Sequence, residues 1–465
     1  MNQSAKPVSV VKMYAPRAQI YAREAKGWYA NWRWICVWLT QAVFYGLPWL
    51  QWNERQAVLF DLAARKFYLF GVVLWPQDLV FLALLLIIAA FSLFLFTALA
   101  GRVWCGFSCP QTVYTEIFMW VERRIEGERS ARMRLDRQPW TIQKITRKSA
   151  KHAVWIAFSL WTGFTFVGYF TPIHTLSAEA ASFSLGPWQS FWILFYGLAT
   201  YGNAGWLREQ VCRYMCPYAR FQSAMFDPDT LIVSYDSKRG EPRAALDKSS
   251  RSVGATGSCI DCSLCVQVCP TGIDIRNGLQ HDCIGCAACV DACNSVMDRI
   301  GAARGLIRFT TDNALRDSLT SKQIGKRVLR PRVLIYSGIL VLMIAAFWMT
   351  LLTRTPLKMD VIRDRGTMAR ELEDGMIENV FRLQVMNTSE TAHRYRISVA
   401  GIDGISVISA EEVLLEGTES RSVPVTVRVP RGKGKPGSNE VVFELQALDD
   451  QQIEVREKAT FFVPR

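Results

Sequence analysis

Eight of the thirteen cysteines in this sequence lie in two consecutive runs that share one spacing. In each run three cysteines occur at every third position, and a fourth follows four positions later. Thiolates at this spacing bind iron–sulfur clusters in bacterial two-cluster proteins, where the fourth cysteine of each run binds the other cluster. The pattern therefore predicts two [4Fe–4S] clusters with crossed ligand sets. One set is Cys259, Cys262, Cys265 and Cys293, and the other is Cys269, Cys283, Cys286 and Cys289.

Two other uses of these cysteines explain the spacing less well. Structural zinc is usually bound by two Cys-x2-Cys pairs that a longer loop separates, which leaves the triple runs unexplained. A disulfide framework is typical of short secreted chains, whereas these runs lie in a basic segment between apolar segments. Pro270 follows the first run as the cluster-binding pattern requires, and Asn294 takes the equivalent place after the second. Since the proline is not a ligand, the cluster hypothesis does not depend on it.

Four further cysteines form two Cys-x3-Cys pairs, Cys105/Cys109 and Cys212/Cys216, and a proline directly follows each pair. Cysteines four positions apart share one face of a helix, but a proline disfavours helical geometry at the residue before it. Each pair is therefore expected at a helix end. If a tandem repeat brings the pairs together, four soft thiolates could bind Cu(I). They could also exchange between dithiol and disulfide, hold a further cluster, or pack as small apolar side chains.

Composition and charge indicate a membrane protein. The chain has 465 residues, 50% of them hydrophobic, and a formal net charge of +13. Residues 354–465 carry 16 Lys and Arg against 18 Asp and Glu, so the first 353 residues hold all of the positive excess. Apolar segments joined by basic loops are typical of membrane proteins whose positive loops stay in the cytoplasm. Nucleic acid binding is not expected, because no base-stacking or groove-reading motif accompanies the charge.

Five apolar segments predict five transmembrane helices. Leu79–Ala100 is the clearest, because it contains no charged residue and its length of about 33 Å matches a bilayer core. The basic segments predict a cytoplasmic N-terminus and cytoplasmic clusters, and thiolate ligands need the same reducing compartment. Residues after the fifth helix are then periplasmic, in a bacterial inner-membrane protein. The five predicted spans are 34–49, 79–100, 153–170, 188–207 and 333–352.

The predicted fold is a multi-domain membrane protein with three kinds of structure. The membrane part is α-helical, the cluster-binding insert is α+β and ferredoxin-like, and the C-terminal region is an all-β immunoglobulin-like sandwich. Period-two alternation of apolar residues, broken by Gly, Asn, Asp and Pro, indicates the sandwich strands. The predicted domains are a cytoplasmic segment 1–33, four helices with both CxxxCP pairs in 34–207, the cluster domain 208–332, the fifth helix 333–353 and the periplasmic sandwich 354–465.

The histidines and the motifs of the sequence limit which other redox cofactors the protein is expected to bind. A b-type haem needs two axial histidines, and His152 and His174 flank the third span about 33 Å apart along a helix. They cannot face one haem, so no intrinsic haem is expected. No dinucleotide fingerprint is present to indicate direct use of NADH. The electron donor is therefore left open by the sequence.

These features together resemble the cytochrome c oxidase accessory protein family (CcoG, also called FixG or RdxA), a family of membrane-bound polyferredoxins. The residues that carry the resemblance are 104–110, 212–217, 259–262, 283–293 and 305–309. The resemblance implies a role in assembling the cbb3-type oxidase, by reduction of Cu(II) to Cu(I). It implies copper or thiol chemistry at Cys105, Cys109, Cys212 and Cys216. It also implies partners among the oxidase subunits or among copper chaperones and transporters.

Two other functions fit the same pattern. The first is a general membrane electron conduit, which would pass electrons from quinol or a cytoplasmic donor to a periplasmic reductase. Related membrane ferredoxins of nitrate and nitrous oxide reduction work in this way. The second is a mainly structural chaperone that docks oxidase subunits through the outer sandwich. Fold alone does not decide among these functions.

Overall fold

A computed structural model of the protein describes residues 19–245, 257–364, 369–373, 375–409 and 411–464. The chain divides into two compact units, each of which collects three separate stretches of sequence. We call the first the cluster unit; it comprises Met1–Gly46, Ala89–Val167 and Glu179–Leu340. We call the second the sandwich unit; it comprises Leu47–Ile88, Gly168–Ala178 and Val341–Arg465.

Helices dominate the cluster unit. The α-helices are α1 (Trp28–Gly46), α2 (Leu79–Ala100), α3 (Val103–Phe107), α4 (Pro110–Glu126), α5 (Arg129–Arg137), α6 (Ile142–Val167), α7 (Ile173–Ala181), α8 (Pro187–Thr200), α9 (Pro217–Met225), α10 (Ser237–Gly240), α11 (Leu264–Gln267), α12 (Ala288–Ile300), α13 (Asp312–Asp317), α14 (Ser321–Val328) and α15 (Pro331–Leu352). Two π-helical segments, Tyr201–Leu207 and Val211–Met215, follow α8. Short 3-10 turns lie at Leu47–Trp49, Pro76–Asp78 and Ile275–Asn277.

A helix covers most or all of each predicted membrane span. Within the described residues, two helices are long and apolar enough to cross a membrane, Pro76–Ala100 and Pro331–Leu352. The third predicted span differs in its start, because α6 begins already at Ile142 and includes the end of the segment predicted as a polar loop. The membrane part of five helices stays a prediction.

Two glycines allow α6 and α8 to pack closely. A Cβ atom at Gly163 would lie 2.2 Å from the carbonyl oxygen of Ile193, and one at Gly197 would lie 3.2 Å from the side chain of Leu160. Small residues of this kind let the backbones of membrane helices approach each other. The sequence therefore builds a close helix pair from the predicted third and fourth spans.

The ferredoxin-like segment has the predicted α+β character and an internal duplication. Strands β6 (Ile232–Tyr235) and β7 (Ile307–Thr310) pair antiparallel and flank the two cysteine runs. The residue before α11, Ser263, and the residue before α12, Ala287, have left-handed backbones with φ of 51° and 57°. Each follows the second cysteine of its run. The two runs therefore share the same left-handed turn after their second cysteine.

The N-terminus of α1 is anchored to this segment. The carboxylate of Asp291 in α12 accepts hydrogen bonds from the backbone N–H groups of Tyr29 (3.3 Å) and Ala30 (2.8 Å). A carboxylate in this position satisfies free amides of the first turn and complements the positive end of the helix dipole. The first predicted membrane helix is thus attached directly to the cluster-binding fold.

Strands build most of the sandwich unit. Those before α2 are β1 (Gln51–Trp52), β2 (Arg55–Gln56), β3 (Val58–Asp61), β4 (Lys66–Leu69) and β5 (Val72–Leu74). Those after α15 are β8 (Leu357–Arg363), β9 (Arg370–Glu371), β10 (Met376–Asn387), β11 (His393–Ala400), β12 (Ser406–Val407), β13 (Glu412–Leu415), β14 (Ser420–Pro430), β15 (Gly437–Ala447) and β16 (Glu454–Val463).

The C-terminal strands form the predicted two-sheet sandwich. One sheet has the order β12-β14-β10-β8 with β9 beside β10, and the other has the order β13-β11-β15-β16. Buried and partly exposed residues alternate along β10 and β15, so each strand gives one face to the core. Phe381 of one sheet meets Phe443 of the other edge-to-face, with ring centroids 4.9 Å apart. The core is therefore closed by aromatic contacts between the sheets.

The strands β1 to β5 were not predicted. Each is only two to four residues long, which is too short to give a clear alternation of apolar residues. They are bound to the sandwich by polar contacts, since Arg55 pairs with Glu390 at 2.6 Å and the Lys66 ammonium donates to the Thr418 carbonyl at 2.8 Å. The sandwich unit therefore extends beyond the predicted domain 354–465.

Replacing Asp78 with asparagine should destabilise the sandwich unit. Asp78 is only 6% exposed, and its carboxylate pairs with Arg354 (2.8 Å) and with Lys358. Its loss leaves two cations without their counter-charge, at a cost of about 3–5 kcal/mol. The measurement is the urea dependence of proteolysis of the full-length protein. The control is Asp403→Asn, whose exposed pair with Lys433 should contribute no more than about 1 kcal/mol; equal effects of the two variants would contradict the prediction.

Candidate metal centre

Two enclosed cavities in the ferredoxin-like segment are lined by the two predicted ligand sets. Cys259, Cys262, Cys265 and Cys293 line one cavity. Cys269, Cys283, Cys286 and Cys289 line the other, which Cys265 also borders. The structure thus brings each crossed set of four thiols together, although every set takes one member from the other run. The residues present fit two cubane clusters.

Within the described ranges, no three His, Cys, Asp or Glu side chains converge closely enough to hold a single metal ion. The cubane that the cysteine spacing predicts is larger than one ion and places its four ligands further apart.

Because these thiols are buried, their thiolate forms need a nearby positive charge. Burial, with smaller contributions from neighbouring thiols, raises the pKa of Cys283 and of Cys293 to about 12. Burial also raises the pKa of Cys265 to about 11, which the nearby Arg276 partly opposes. Buried thiolates of this kind are stable only when positive charge neutralises them. The iron ions of a cluster would supply that charge.

The two CxxxCP motifs have matching local structures. Cys109 directly precedes α4 and Cys216 directly precedes α9, each with an extended backbone and with proline at the first helical position. Proline suits this position because its missing N–H has no partner there in any case. Cys105 lies in α3 and Cys212 lies in the second π-helical segment. Each pair therefore spans a junction between two helical segments, as predicted, and does not lie on one continuous helix face.

The four thiols of the two motifs lie near one another. Burial raises the pKa of Cys105 to about 11 and that of Cys212 to about 12. Cys216 adds to the rise at both positions, and Cys109 does so as well. The thiols of each motif therefore act electrostatically on those of the other. We call these four cysteines the thiol site.

Polar groups hold Cys105 in place. Its thiol donates to the side-chain oxygen of Gln222 at 3.3 Å, and Gln222 is fully buried. The amide of Gln222 in turn donates to the hydroxyl of Thr97 at 3.4 Å. The backbone carbonyl of Cys105 accepts a hydrogen bond from the Thr112 hydroxyl at 2.5 Å. The first motif is therefore fixed by α2, α4 and α9 together.

The thiol site is packed directly against the second cluster cavity. A Cβ atom at Gly106 would lie 2.7 Å from the backbone N and Cα of Cys286, so only glycine allows this approach. Cys105 and Cys212 both pack on the apolar group around Ile284 and Cys286. The loop that supplies three ligands of the second set is thus in contact with the first CxxxCP motif.

Arg102 joins the cluster loop to both motifs. Its guanidinium donates to the carbonyls of His281 and Cys283 on one side and to the carbonyl of Ala219 in α9 on the other. Its charge favours the thiolate forms of Cys105, Cys212 and Cys283. A buried cation between the two sites stabilises negative charge at either one.

A second arginine ties the other motif to the first cysteine run. Arg213 follows Cys212, donates to the Thr271 carbonyl at 2.8 Å and pairs with Asp282 at 3.0 Å. No role was predicted from the sequence for Arg102, Arg213, Gly106 or Gln222. Arg102, Gly106 and Arg213 could have been found from the sequence, because each lies within three residues of a CxxxCP cysteine. Nothing in the sequence marks Gln222 as part of the site.

Comparisons with known proteins cover nearly the whole chain. Three family models match: "4Fe-4S dicluster domain" at residues 207–312, "4Fe-4S binding domain" at residues 82–127, and "IG-like fold at C-terminal of FixG" at residues 347–464. Protein RdxA of Cereibacter sphaeroides is 40% identical over 425 residues, which cover 89% of this chain and 87% of RdxA. Nitrogen fixation protein FixG of Rhizobium meliloti is 36% identical over 478 residues, which cover 94% of this chain and 91% of FixG.

Two further matches were found. Protein RdxB of Cereibacter sphaeroides is 37% identical over 436 residues, which cover 92% of this chain and 91% of RdxB. Among solved structures, the FixG-related protein from Vibrio parahaemolyticus matches with 21% identity and a TM-score of 0.22. That match covers 24% of this chain and 99% of the solved one.

Proposed function

This chain belongs to the FixG/RdxA family of iron–sulfur electron-transfer proteins, and we propose that it reduces Cu(II) to Cu(I) at the thiol site. In this proposal the reduced copper serves the assembly of a cbb3-type cytochrome c oxidase. The partners would be oxidase subunits or copper chaperones and transporters. The observation that carries the proposal is the contact of Gly106 with Cys286, because it joins the thiols to a cluster loop.

The proposed ligand assignment follows the two cavities. Cys259, Cys262, Cys265 and Cys293 would hold one [4Fe–4S] cluster, and Cys269, Cys283, Cys286 and Cys289 would hold the other. When bound, such clusters supply electrons one at a time. The chain contributes the position of the second cluster beside the thiol site, and Arg102 stabilises negative charge on either side of that contact.

The thiol site suits copper as a substrate for chemical reasons. Soft thiolates favour Cu(I) over harder ions, so the reduced form would be held better than the oxidised form. The high pKa of the Cys105 and Cys212 thiols means that metal binding must displace protons. The site would therefore take up copper more readily as pH rises. Gln222, which accepts from Cys105, is positioned to orient that thiol.

We propose five membrane helices with the clusters in the cytoplasm and the sandwich in the periplasm. The helices α1, α2, α6, α8 and α15 would be the spans. The division of the chain supports this arrangement. All three basic segments belong to the cluster unit. The segments that would be periplasmic or at the outer surface belong to the sandwich unit; they are residues 47–78, 168–178 and 353–465. Positive segments are retained in the cytoplasm.

Replacing Cys105, Cys109, Cys212 and Cys216 together with serine should abolish Cu(II) reduction by the dithionite-reduced protein. The expected loss is at least about 10²-fold, on the scale of removing an essential reacting group. The measurement is Cu(I) formation with a chelating dye, combined with EPR of both clusters. The control is Cys36→Ser, since Cys36 belongs to neither ligand set and to neither CxxxCP motif. Wild-type reduction by the quadruple variant with intact cluster signals would refute the proposal.

A second role for the thiol site is supported by one comparison. The 4Fe-4S binding family model covers residues 82–127, which contain Cys105 and Cys109 but none of the eight ferredoxin-like cysteines. The four thiols could accordingly hold a third cluster, and the protein would then be an electron conduit. Iron content separates the two roles. The quadruple serine variant should keep the wild-type iron content if the site handles copper, and should lose about one third of it if the site holds a cluster.

A further inference from the structure

A cavity that shares Arg208 and Glu209 with a smaller cavity beside Cys212 has no role in the function proposed above. It has a volume of about 680 Å³ and lies in the cluster unit, at the inner end of the proposed third and fourth spans. This volume is in the range of sites for organic ligands. Its walls include Trp140, His152, Trp155, Trp206, Arg208 and Glu209.

The walls favour a flat aromatic ligand. His152 stacks on Trp206 with ring centroids 5.8 Å apart and an angle of 17° between the rings, and Trp155 meets His152 edge-on. Trp140 is 75% exposed and Trp206 is 53% exposed, so the mouth of the cavity is aromatic. Tryptophans at such a level are typical of the membrane interface, where a lipophilic molecule could enter.

The charges on the walls argue against an anionic ligand. Three cations (Lys148, Lys151 and Arg208) are matched by three carboxylates (Glu122, Asp136 and Glu209). The cations are engaged, since Lys148 pairs with Asp136 at 2.6 Å and Arg208 pairs with Glu122 at 3.2 Å. A phosphate or nucleotide would need unpaired positive charge. A neutral molecule with polar hydrogens fits this lining better.

Two side chains on the walls of this cavity, His152 and Glu209, can accept a proton. The Nδ1 atom of His152 lies 2.9 Å from the hydroxyl of Tyr201. Glu209 is 8% exposed and accepts from the Gln210 amide at 3.1 Å. Within the described ranges, Glu209 makes no ion pair. A neutral imidazole and a carboxylate are the groups that could accept two protons from a bound hydroxylated ring.

The cavity adjoins the redox centres. Arg208 and Glu209 also line a smaller cavity whose other walls include Cys212, Thr271 and Ile284. Thr271 and Ile284 in turn line the cavity of the second ligand set. The backbone of Arg208 is strained, with φ of 45° between two π-helical segments. Strain and π-helical turns of this kind concentrate at functional sites.

We propose that this cavity binds a hydroquinone of the membrane and is the site where electrons enter the protein. The inference deepens the proposed function and rests on it. One hydroquinone would give up two electrons and two protons and become a quinone. When bound, the two oxidised clusters would be the acceptors of one electron each, and two Cu(II) ions would be the final acceptors. The protons go to His152 and Glu209.

The test uses full-length protein in lipid nanodiscs with decylubiquinol as the reductant. Glu209→Gln removes a proton acceptor at constant shape and should slow cluster reduction, followed by EPR, at least about 10-fold. Trp206→Ala should raise the Kd of decylubiquinone about 10-fold, measured by quenching of tryptophan fluorescence. His174→Leu, in the sandwich unit, is the control and should match wild type. Dithionite should reduce the clusters of every variant, which shows that each is folded.

The outcomes separate this site from the proposed function. Absence of saturable decylubiquinone binding, or variants that behave like His174→Leu, would overturn the hydroquinone site even if dithionite still drives Cu(II) reduction. Reduction of the clusters by decylubiquinol without any Cu(I) formation would support the site and overturn the copper proposal. Wild-type binding with loss of reduction in Glu209→Gln would support the assignment of Glu209 as a proton acceptor.

Discussion

A variant that lacks Cys269 and Cys283 should keep one [4Fe–4S] cluster, whereas a variant that lacks Cys259 and Cys269 should keep neither. Cys269 lines the same cavity as Cys283, and Cys259 lines the other cavity. In the crossed arrangement, the variant without Cys269 and Cys283 therefore lacks two ligands of the same cluster. The variant without Cys259 and Cys269 lacks one ligand of each cluster. An uncrossed arrangement predicts the opposite outcome for the two double variants.

Iron content and EPR distinguish these results. The Cys269→Ser, Cys283→Ser variant should retain about half of the wild-type iron, and the Cys259→Ser, Cys269→Ser variant should retain almost none. Loss of a cluster also removes folding free energy from its loop, so the second variant should be the more sensitive to proteolysis. Cys36→Ser is the control for the removal of a cysteine as such. Equal iron in the two double variants would contradict the crossed sets.

Three of the four ligands in each set follow from local spacing, and the fourth follows from the crossed arrangement that two such runs have in bacterial two-cluster proteins. A cysteine at every third position needs only one tight turn, and the left-handed residues Ser263 and Ala287 supply that turn in both runs. The sandwich was predictable for a similar reason, since alternation along β10 and β15 is a local pattern. The triple cysteine spacing and the strand alternation are each contained within about ten consecutive residues.

The environment of the thiol site could not be predicted in the same way. The approach of Gly106 to Cys286 joins residues far apart in the chain, and no local pattern marks a glycine as an interface residue. Arg102 could equally have been one more positive charge in a cytoplasmic loop. Its role depends on three backbone carbonyls, and the positions of carbonyls follow from the folded chain alone.

In the basic segment between the second and third spans, counting charges does not predict which side chains are buried. The sequence predicts a polar loop here, and its charge says nothing about which side chains are buried. Arg132 is instead 2% exposed and pairs with the buried Glu122 at 2.9 Å. Lys151 pairs with Glu126 at 2.8 Å in the same group. Sidedness depends on the sum of charge, whereas burial depends on partners that composition does not identify.

Replacing Gly106 with alanine should uncouple the thiol site from the second cluster while leaving both cluster sets intact. The added methyl group would lie 2.7 Å from the backbone of Cys286 and 2.8 Å from that of Gly285, and neither backbone can rotate away as a side chain could. Either α3 or the cluster loop must move. Such overpacking costs about 1–3 kcal/mol. A displacement on the order of 1 Å can lower a rate about 10²-fold.

The expected result of Gly106→Ala is therefore a slow transfer of electrons from the reduced clusters to Cu(II), with normal iron content and normal cluster EPR signals. The measurement is rapid mixing of the dithionite-reduced protein with Cu(II), followed by the decay of the cluster signals. Gly325→Ala in α14 is the matched control, because a Cβ atom there meets no described atom within 4 Å. Reoxidation of Gly106→Ala at the rate of that control would show that electrons leave the clusters by a route that does not depend on the contact between Gly106 and Cys286.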